Sequence, residues 1–253
     1  MVKNELMDKW LDAEKGFFQG WDFSYVKDRY DEGYPDWDYI EIAKQSIKDS
    51  NSVLDQATGG GEVFSEILGH HKPRKAVAIE GYKSNVSVAR ENLKKYGVDV
   101  LYAEEVEELP FKDGEFDLVL NRHGGTNVKE LSRIICKEGI FLTQQVEASN
   151  WEDLMAEFGK KPKFAQNTLD NVSNKLEKEG FKILRKEHWE GKTVFKDVSS
   201  LVYVLKAIPW IVDDFSVEKY KDVLEKLHEK VQNNGKLEFK STRFLIIARK
   251  III

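Results

Sequence analysis

Between residues 50 and 146, short apolar runs alternate with stretches whose apolar residues recur at helical spacing. That alternation limits the possible folds more than any other feature of the chain. Ser52 to Asp55 is an apolar run that ends at a glycine cluster, and Val63, Phe64, Ile67 and Leu68 follow at helical spacing. Ala76 to Ile79 reads as a second strand. Ser84 is expected to cap a helix carrying Val86, Ala89, Leu93 and Tyr96, stopped at Gly97. Val98 to Tyr102 and Phe116 to Leu120 read as the third and fourth strands. Val128, Leu131, Ile134 and Ile135 form a further helical face, which includes Cys136 and ends at Gly139. Ile140 to Val146 is a fifth strand. Strands apolar along their whole length are covered on both faces, which predicts a parallel sheet with right-handed crossovers in a doubly wound α/β fold.

The flanks are less regular. The first 40 residues hold ten aromatic side chains, from Trp10 through Phe17, Phe18 and Trp21 to Trp37 and Tyr39, with ten acidic and five basic residues. A helix over 4–15 is expected there. The segment either packs aromatics onto the main core or lines a ligand site. Toward the C-terminus, Thr168 opens a helix closed by Gly180, and Phe181 to Leu184 reads as a strand. Val198 to Leu205 is helical, ending before Pro209. Ser216 opens another helix, closed near Gly235, and Arg243 to Lys250 is a last strand. No repeat or linker is evident. The chain therefore reads as one domain, with an arm over 1–49, a core over 50–146 and remaining strands over 147–253. Within the last part, about 188–235 is the segment expected to cap the site.

Composition excludes several classes. With 41% hydrophobic and 33% charged residues, the chain is neither disordered nor fibrous. One cysteine supports neither a disulfide framework nor a CxxC metal site, and no metal is expected. No signal-peptide pattern is read at Met1 to Glu5, and a cytoplasmic location is expected. The net charge of −5 disfavours a large nucleic-acid footprint, and no membrane association is expected.

The chemically informative stretch is Val53-Leu54-Asp55-Gln56-Ala57-Thr58-Gly59-Gly60-Gly61. A glycine-rich turn between a strand and its helix lets the backbone approach a ligand closely. The stretch fits neither a G-x-G-x-x-G fingerprint nor a P-loop. Glu80 ends the second strand, where a carboxylate beside the glycine loop can accept from ribose hydroxyls. Glu104 and Glu105 follow the third strand.

These residues resemble the motifs of the class I S-adenosylmethionine-dependent methyltransferases. Val53 to Gly61 is similar to that family's apolar pair followed by D-x-G-x-G-x-G, and Glu80 matches its acidic residue after the second strand. Glu105 to Phe111 is similar to D-A-E-x-L-P-F, and Asp113 to Val119 to D-x-x-F-D-x-V. Lys137-Glu138-Gly139 stands where K-P-G-G is usual. Ala57 replaces a glycine, which requires a φ below zero or room beside the ligand. Glu105 replaces an aspartate. The resemblance implies a Rossmann-like, mostly parallel seven-stranded sheet with its last strand antiparallel, and S-adenosylmethionine as cofactor. It also implies roles for individual residues. Ala57 and Gly59 pass close to the methionine part and the adenosine, with Gln56 and Gly61 in the same loop. Asp55 meets the ammonium group, and the backbone of Asn121 lies near it. Glu80 holds the ribose diol, flanked by Gly81 and Tyr82. Glu105 and the backbone of Val106 meet the adenine.

Methyl transfer from a sulfonium is an in-line displacement, so the protein mainly aligns the acceptor and excludes water. His123, in Asn121-Arg122-His123-Gly124-Gly125 after the fourth strand, is either a general base or orienting group, or a structural histidine. Arg122 either binds an anionic substrate group or pairs with an acidic neighbour. Gln144 and Gln145 either face the substrate or simply end a strand. His188 and His228 have no partner at metal-ligand spacing. Three functions remain open at this point. They are a small-molecule methyltransferase, an RNA or protein methyltransferase, and a cofactor-binding protein without catalysis.

Overall fold

Apolar side chains dominate the inner strands, and short polar side chains cap several of the helices. The computed structural model describes residues 2–16, 18, 23–104 and 108–251. In chain order these form α1 (Val2–Glu14), β1 (Tyr30–Asp31), α2 (Tyr39–Ile47), β2 (Ser52–Gln56), α3 (Glu62–His70) and β3 (Lys75–Glu80). Next come α4 (Lys83–Leu93), β4 (Asp99–Tyr102), β5 (Phe116–Arg122), α5 (Val128–Ile134) and β6 (Ile135–Val146). The remainder is α6 (Glu152–Glu157), α7 (Leu169–Lys178), β7 (Phe181–Phe195), α8 (Val198–Ala207), α9 (Lys221–Asn234) and β8 (Leu237–Lys250). The strands are ordered β1-β7-β8-β6-β5-β2-β3-β4 in one eight-stranded sheet.

The chain divides into two compact units. The larger comprises residues 36–147, 167–188 and 243–253. In it β2 pairs in parallel with both β3 and β5, β3 pairs with β4, and β5 pairs with β6. β8 runs antiparallel to β6, from Ile140 opposite Arg249 to Val146 opposite Arg243. Leu54, Val119, Phe116, Phe141, Phe244 and Ile246 fill its core. Asp38 caps α2 by accepting from the amides of Ile40 and Glu41, and Asn127 caps α5 in the same way. Parallel pairing brings the carboxyl ends of β2, β3, β4, β5 and β6 to one edge of the sheet. Loops with special backbone geometry gather there.

The second unit comprises residues 1–35, 148–166 and 189–242. Its core is built from Trp10, Trp151, Phe195, Leu201, Leu224 and Phe239. The indole N–H of Trp151 donates to Thr193 Oγ1 at 2.8 Å, so the buried ring leaves no orphan donor. Asp197 caps α8, whose side chains are almost all buried. β1 lies antiparallel to the end of β7, with Tyr30 opposite Phe195.

Several expectations are corrected. The sheet has eight strands, not seven. The extra strand, β1, has two residues, too few to show an alternating pattern. β7 continues past Leu184 to Phe195 because its second half alternates polar and apolar side chains on a half-exposed surface. The segment expected to begin a cap near 188 is therefore still strand. The helix of Val128 ends at Ile134, and Ile135, opposite Phe116, already belongs to β6. Cys136 thus lies in a strand, and Glu138 takes φ +65° where a turn was expected. Tyr82, not Ser84, occupies the cap position of α4. α9 starts at Lys221 instead of Ser216, and β8 starts at Leu237 instead of Arg243. The arm of residues 1–49 is divided between the units at 35/36. Phe17 and Trp21 lie outside the described residues. No helix among the described residues is long and apolar enough to cross a membrane.

Candidate active site

The loop after β2 turns sharply, and three of its residues take left-handed backbone angles: Ala57 (φ +58°), Gly59 (φ +62°) and Gly61 (φ +81°). Glycine accepts this region without strain, but for alanine it costs about 1 kcal/mol or more. Ala57 therefore has the positive φ that the sequence reading had set against its Cβ. Gly124 accommodates that Cβ, since a Cβ added there would lie 2.4 Å from the Ala57 methyl. The amide of Thr58 donates to Ile79 O at 3.0 Å, tying the loop to β3.

Glu80, at the end of β3, holds two chain segments at once. Its Oε2 accepts the amide of Gly59 at 2.7 Å and its Oε1 the amide of Tyr82 at 2.8 Å. Burial pushes its pKa up, and the amides of Tyr82, Gly59 and Gly81 oppose the shift. A Cβ at Gly81 would press on Ala103 O at 3.2 Å, so the β3 and β4 ends approach closely there. Tyr82 is exposed beside this point. Tyr102 donates its hydroxyl to Glu104 at 2.7 Å. Glu105 and Val106, expected near an adenine, lie outside the described residues.

Asp55, next to the loop, is buried, and its pKa is pushed up to about 7. Burial is the main cause. Glu80 adds to it, while the Thr58 hydroxyl and the charge of Arg122 oppose it. Thr58 Oγ1 is nonetheless without a well-formed hydrogen bond, and the Tyr39 hydroxyl, on the first residue of α2, is buried in the same condition. Burial, and then the nearby Asp55 charge, push the Tyr39 pKa well up. A carboxyl group and two hydroxyls without a well-formed hydrogen bond thus share one neighbourhood.

The loop after β5 is held from below. Asn121 is fully buried and donates through Nδ2 to Gln56 Oε1 at 3.0 Å and Thr126 Oγ1 at 2.9 Å. Its Oδ1 accepts the Gly124 amide at 3.1 Å and Gln145 Nε2 at 2.8 Å. His123 takes φ +64° and donates its amide to Gln144 O at 2.8 Å. Its ring Nε2 lies 3.1 Å from Gln144 Nε2, and Gln144 Oε1 accepts the Trp37 indole N–H at 2.8 Å. Burial pushes the His123 pKa well down, and the charges of Arg122 and Arg243 act in the same direction. The residue is nonetheless exposed to solvent as a whole, so the two guanidinium charges matter beside the burial of its ring nitrogens' surroundings.

A sequence model described as a methyltransferase domain matches residues 54–142, the span that carries β2 to β6 and both loops. Residues 54–142 are therefore similar to a methyltransferase domain. Solved structures share the fold of the chain. A protein from Bacillus halodurans C-125 assigned as a methyltransferase is 20% identical, with a TM-score of 0.59 over 84% of this chain and 99% of its own. A functionally unknown protein from Deinococcus radiodurans R1 is 14% identical, with a TM-score of 0.60 over 88% of this chain and 91% of its own. A geranyl diphosphate methyltransferase in complex with GPP and sinefungin is 13% identical, with a TM-score of 0.51 over 84% of this chain and 77% of its own. At these identities the likeness concerns the fold. Among curated proteins no sequence matches.

Within the methyltransferase domain, the residues read from the sequence fall into two groups. Asp55, Gln56, Ala57, Gly59, Gly61, Glu80, Gly81 and Tyr82 gather at the carboxyl ends of β2 and β3, and Asn121 and His123 at that of β5. Gln144 and Gln145 support the β5 loop. His188, which has no partner at metal-ligand spacing in the sequence, pairs with Glu147 at 2.7 Å. Sequence reasoning gave Thr58 no role of its own and did not single out Tyr39 and Trp37 from the rest of the aromatic arm. Tyr39 and Trp37 flank the Asp38 cap of α2, and that Asp-aromatic junction is the one local signal that sets them apart from the aromatic arm.

Proposed function

We propose that this methyltransferase binds S-adenosylmethionine at the carboxyl ends of β2 and β3 and methylates a small molecule. The observation that carries the cofactor assignment is the buried Asp55 carboxyl beside two buried hydroxyls without a well-formed hydrogen bond, Tyr39 Oη and Thr58 Oγ1. Buried polar atoms without partners are costly, and an ammonium group supplies the donors and the charge that this trio lacks. Glu80 fits the ribose diol. Each of its oxygens already accepts one amide and keeps capacity for a hydroxyl.

S-adenosylmethionine, when bound, supplies a methyl group already activated on a sulfonium. The work left to the chain is binding, orientation and exclusion of water. Asp55, Tyr39 and Thr58 hold the ammonium, Glu80 the ribose, and Gly59 and Gly81 leave room for close backbone approach. Asn121 and Gln145 keep the β5 loop in one shape, so that Arg122 and His123 stand at a fixed place for the acceptor. The net charge of −5 argues against a nucleic-acid acceptor.

Calorimetric titration with S-adenosylmethionine and S-adenosylhomocysteine, with NAD as control, tests the cofactor. Micromolar binding that weakens at least tenfold in Glu80→Gln supports the reading, and absence of binding by either ligand refutes it. Transfer of labelled methyl groups to metabolite fractions, compared with RNA and protein fractions, then tests the size of the acceptor.

A further inference from the structure

We propose that Arg122 and His123 form an oxyanion-binding subsite for the methyl acceptor, with Trp37 and Gln144 as positioning residues that fix the His123 imidazole as an Nδ1–H donor. The word acceptor rests on the methyltransferase reading above. The subsite itself rests on the geometry that follows.

The first argument is the hydrogen-bond polarity. An indole N–H can only donate. The atom of Gln144 that meets Trp37 Nε1 at 2.8 Å is therefore the amide oxygen. The amide nitrogen then faces His123 Nε2 at 3.1 Å, and an amide N–H can only donate as well. His123 Nε2 must accept, so the proton of the neutral ring sits on Nδ1. A protonated ring would set two donors against each other at 3.1 Å, near the charges of Arg122 and Arg243. The lone pair that a general base needs is thus engaged with Gln144. Of the two roles considered for His123, orientation by donation survives and the base does not.

The second argument is what these groups lack. Among the described residues, His123 Nδ1 has no hydrogen-bond partner, and half-buried Arg122 makes neither a hydrogen bond nor an ion pair. The acidic neighbour expected for Arg122 does not take it up. Asp55 lies within range of its charge but does not bond to it. The half-buried guanidinium keeps its donors free, and its planar fork suits two oxygens of a carboxylate or phosphate. The third argument is rigidity. His123 keeps a left-handed backbone angle, which costs free energy and persists only because Gln144 anchors both its amide and its ring. Such overdetermined strain fits a group whose direction matters.

The test is imidazole nitrogen–proton NMR on the full chain near pH 7, with His123→Asn for assignment, with and without saturating S-adenosylhomocysteine. The expected state of His123 is the neutral Nδ1–H tautomer. Gln144→Glu replaces the amide donor by an acceptor and is expected to make the ring cationic, and Trp37→Phe to mix the tautomers. Acetate or inorganic phosphate is expected to shift the His123 signals saturably, with acetamide inert, and the stronger of the two anions identifies the class. Arg122→Gln is expected to weaken that response at least tenfold. An Nε2–H or cationic ring in the wild type, a tautomer unmoved in Gln144→Glu, or no response to either anion overturns the proposal. It is also overturned if S-adenosylhomocysteine abolishes the anion response while its own affinity falls tenfold in Arg122→Gln. Arg122 would then serve the cofactor's carboxylate. Failure of S-adenosylhomocysteine to bind, with the anion response intact, removes the methyl acceptor but not the subsite.

Discussion

The carboxylate of Glu80 clasps the amide of Gly59, 21 residues away in sequence, at 2.7 Å, and with its second oxygen takes the amide of Tyr82. One side chain thus shapes the glycine loop and the turn after β3. Hydrogen bonds to a charged acceptor contribute about 1.5–3 kcal/mol each. Glu80→Ala is therefore expected to lower the thermal midpoint by several degrees and to abolish measurable cofactor binding. Glu80→Gln keeps one oxygen acceptor and is expected to retain more of the stability than of the affinity. Scanning calorimetry and titration on the same samples separate the two effects.

The raised pKa of Asp55 sets a pH dependence with a defined sign. An unfolded aspartate titrates near its ordinary value of about 3.9, while the folded one holds its proton up to about 7. Between these values the native state binds more protons, so this group lowers stability as pH rises through that window. Binding of an ammonium-bearing ligand favours the carboxylate. Affinity for S-adenosylhomocysteine is therefore expected to rise as pH climbs toward 7 and to level off above it, with proton release on binding. Titrations in buffers of different ionisation enthalpy measure the protons directly. Asp55→Asn is expected to bind weakly at every pH, with the step gone.

Ala57 and Gly124 are coupled by space. Ala57→Gly removes left-handed strain, and a gain of about 1 kcal/mol is expected. Gly124→Ala brings two methyl carbons to 2.4 Å and is expected to cost about 1–3 kcal/mol. In the double variant most of that cost disappears, because the opposing methyl is gone. A denaturant double-mutant cycle showing simple additivity would contradict this packing.

Glu130 and Arg133 on α5 hold the Leu109–Phe111 segment. Glu130 accepts the Leu109 amide at 2.7 Å, and Arg133 donates to Leu109 O at 3.1 Å and to Phe111 O at 2.6 Å. Arg133→Ala is expected to cost about 2 kcal/mol, since it frees two carbonyls and leaves Glu130 without its cation. The Arg133 guanidinium and the Leu109 amide hold the Glu130 pKa down against burial. Its contribution is therefore present above the ordinary glutamate range and is lost as pH falls through the depressed folded value. The gap in stability between wild type and variant should accordingly narrow in strong acid, as urea denaturation at several pH values would reveal.

The parallel core was legible because its strands are apolar throughout and its helices carry clear stripes and caps, as from Thr168 to Gly180. The glycine loop and Glu80 were legible because spacing alone brings them together at adjacent strand ends. What the sequence hid falls into three kinds. Ile135 could end a helix or start a strand, and only its pairing with Phe116 decides. The outer half of β7 is too polar to announce itself, and β1 is too short. Trp37 meets the β5 loop only through Gln144, 107 residues away in sequence, and Gln144 meets His123 across 21. No local pattern encodes such contacts. The sequence left Ala57 with either a negative φ or room for its Cβ; it takes φ +58°, and Gly124 leaves the room.

Both compact units are stitched from three separate stretches, and each draws on the last strand: residues 237–242 serve one and 243–250 the other. Domains whose residues are contiguous can fold one after another as they leave the ribosome. Neither unit here can close before β8 has been synthesised. The edges of β6 and β7 that β8 joins must therefore wait, unpaired, for a segment that arrives almost at the end, and a nascent chain stalled before residue 237 would hold two unfinished cores instead of one finished domain.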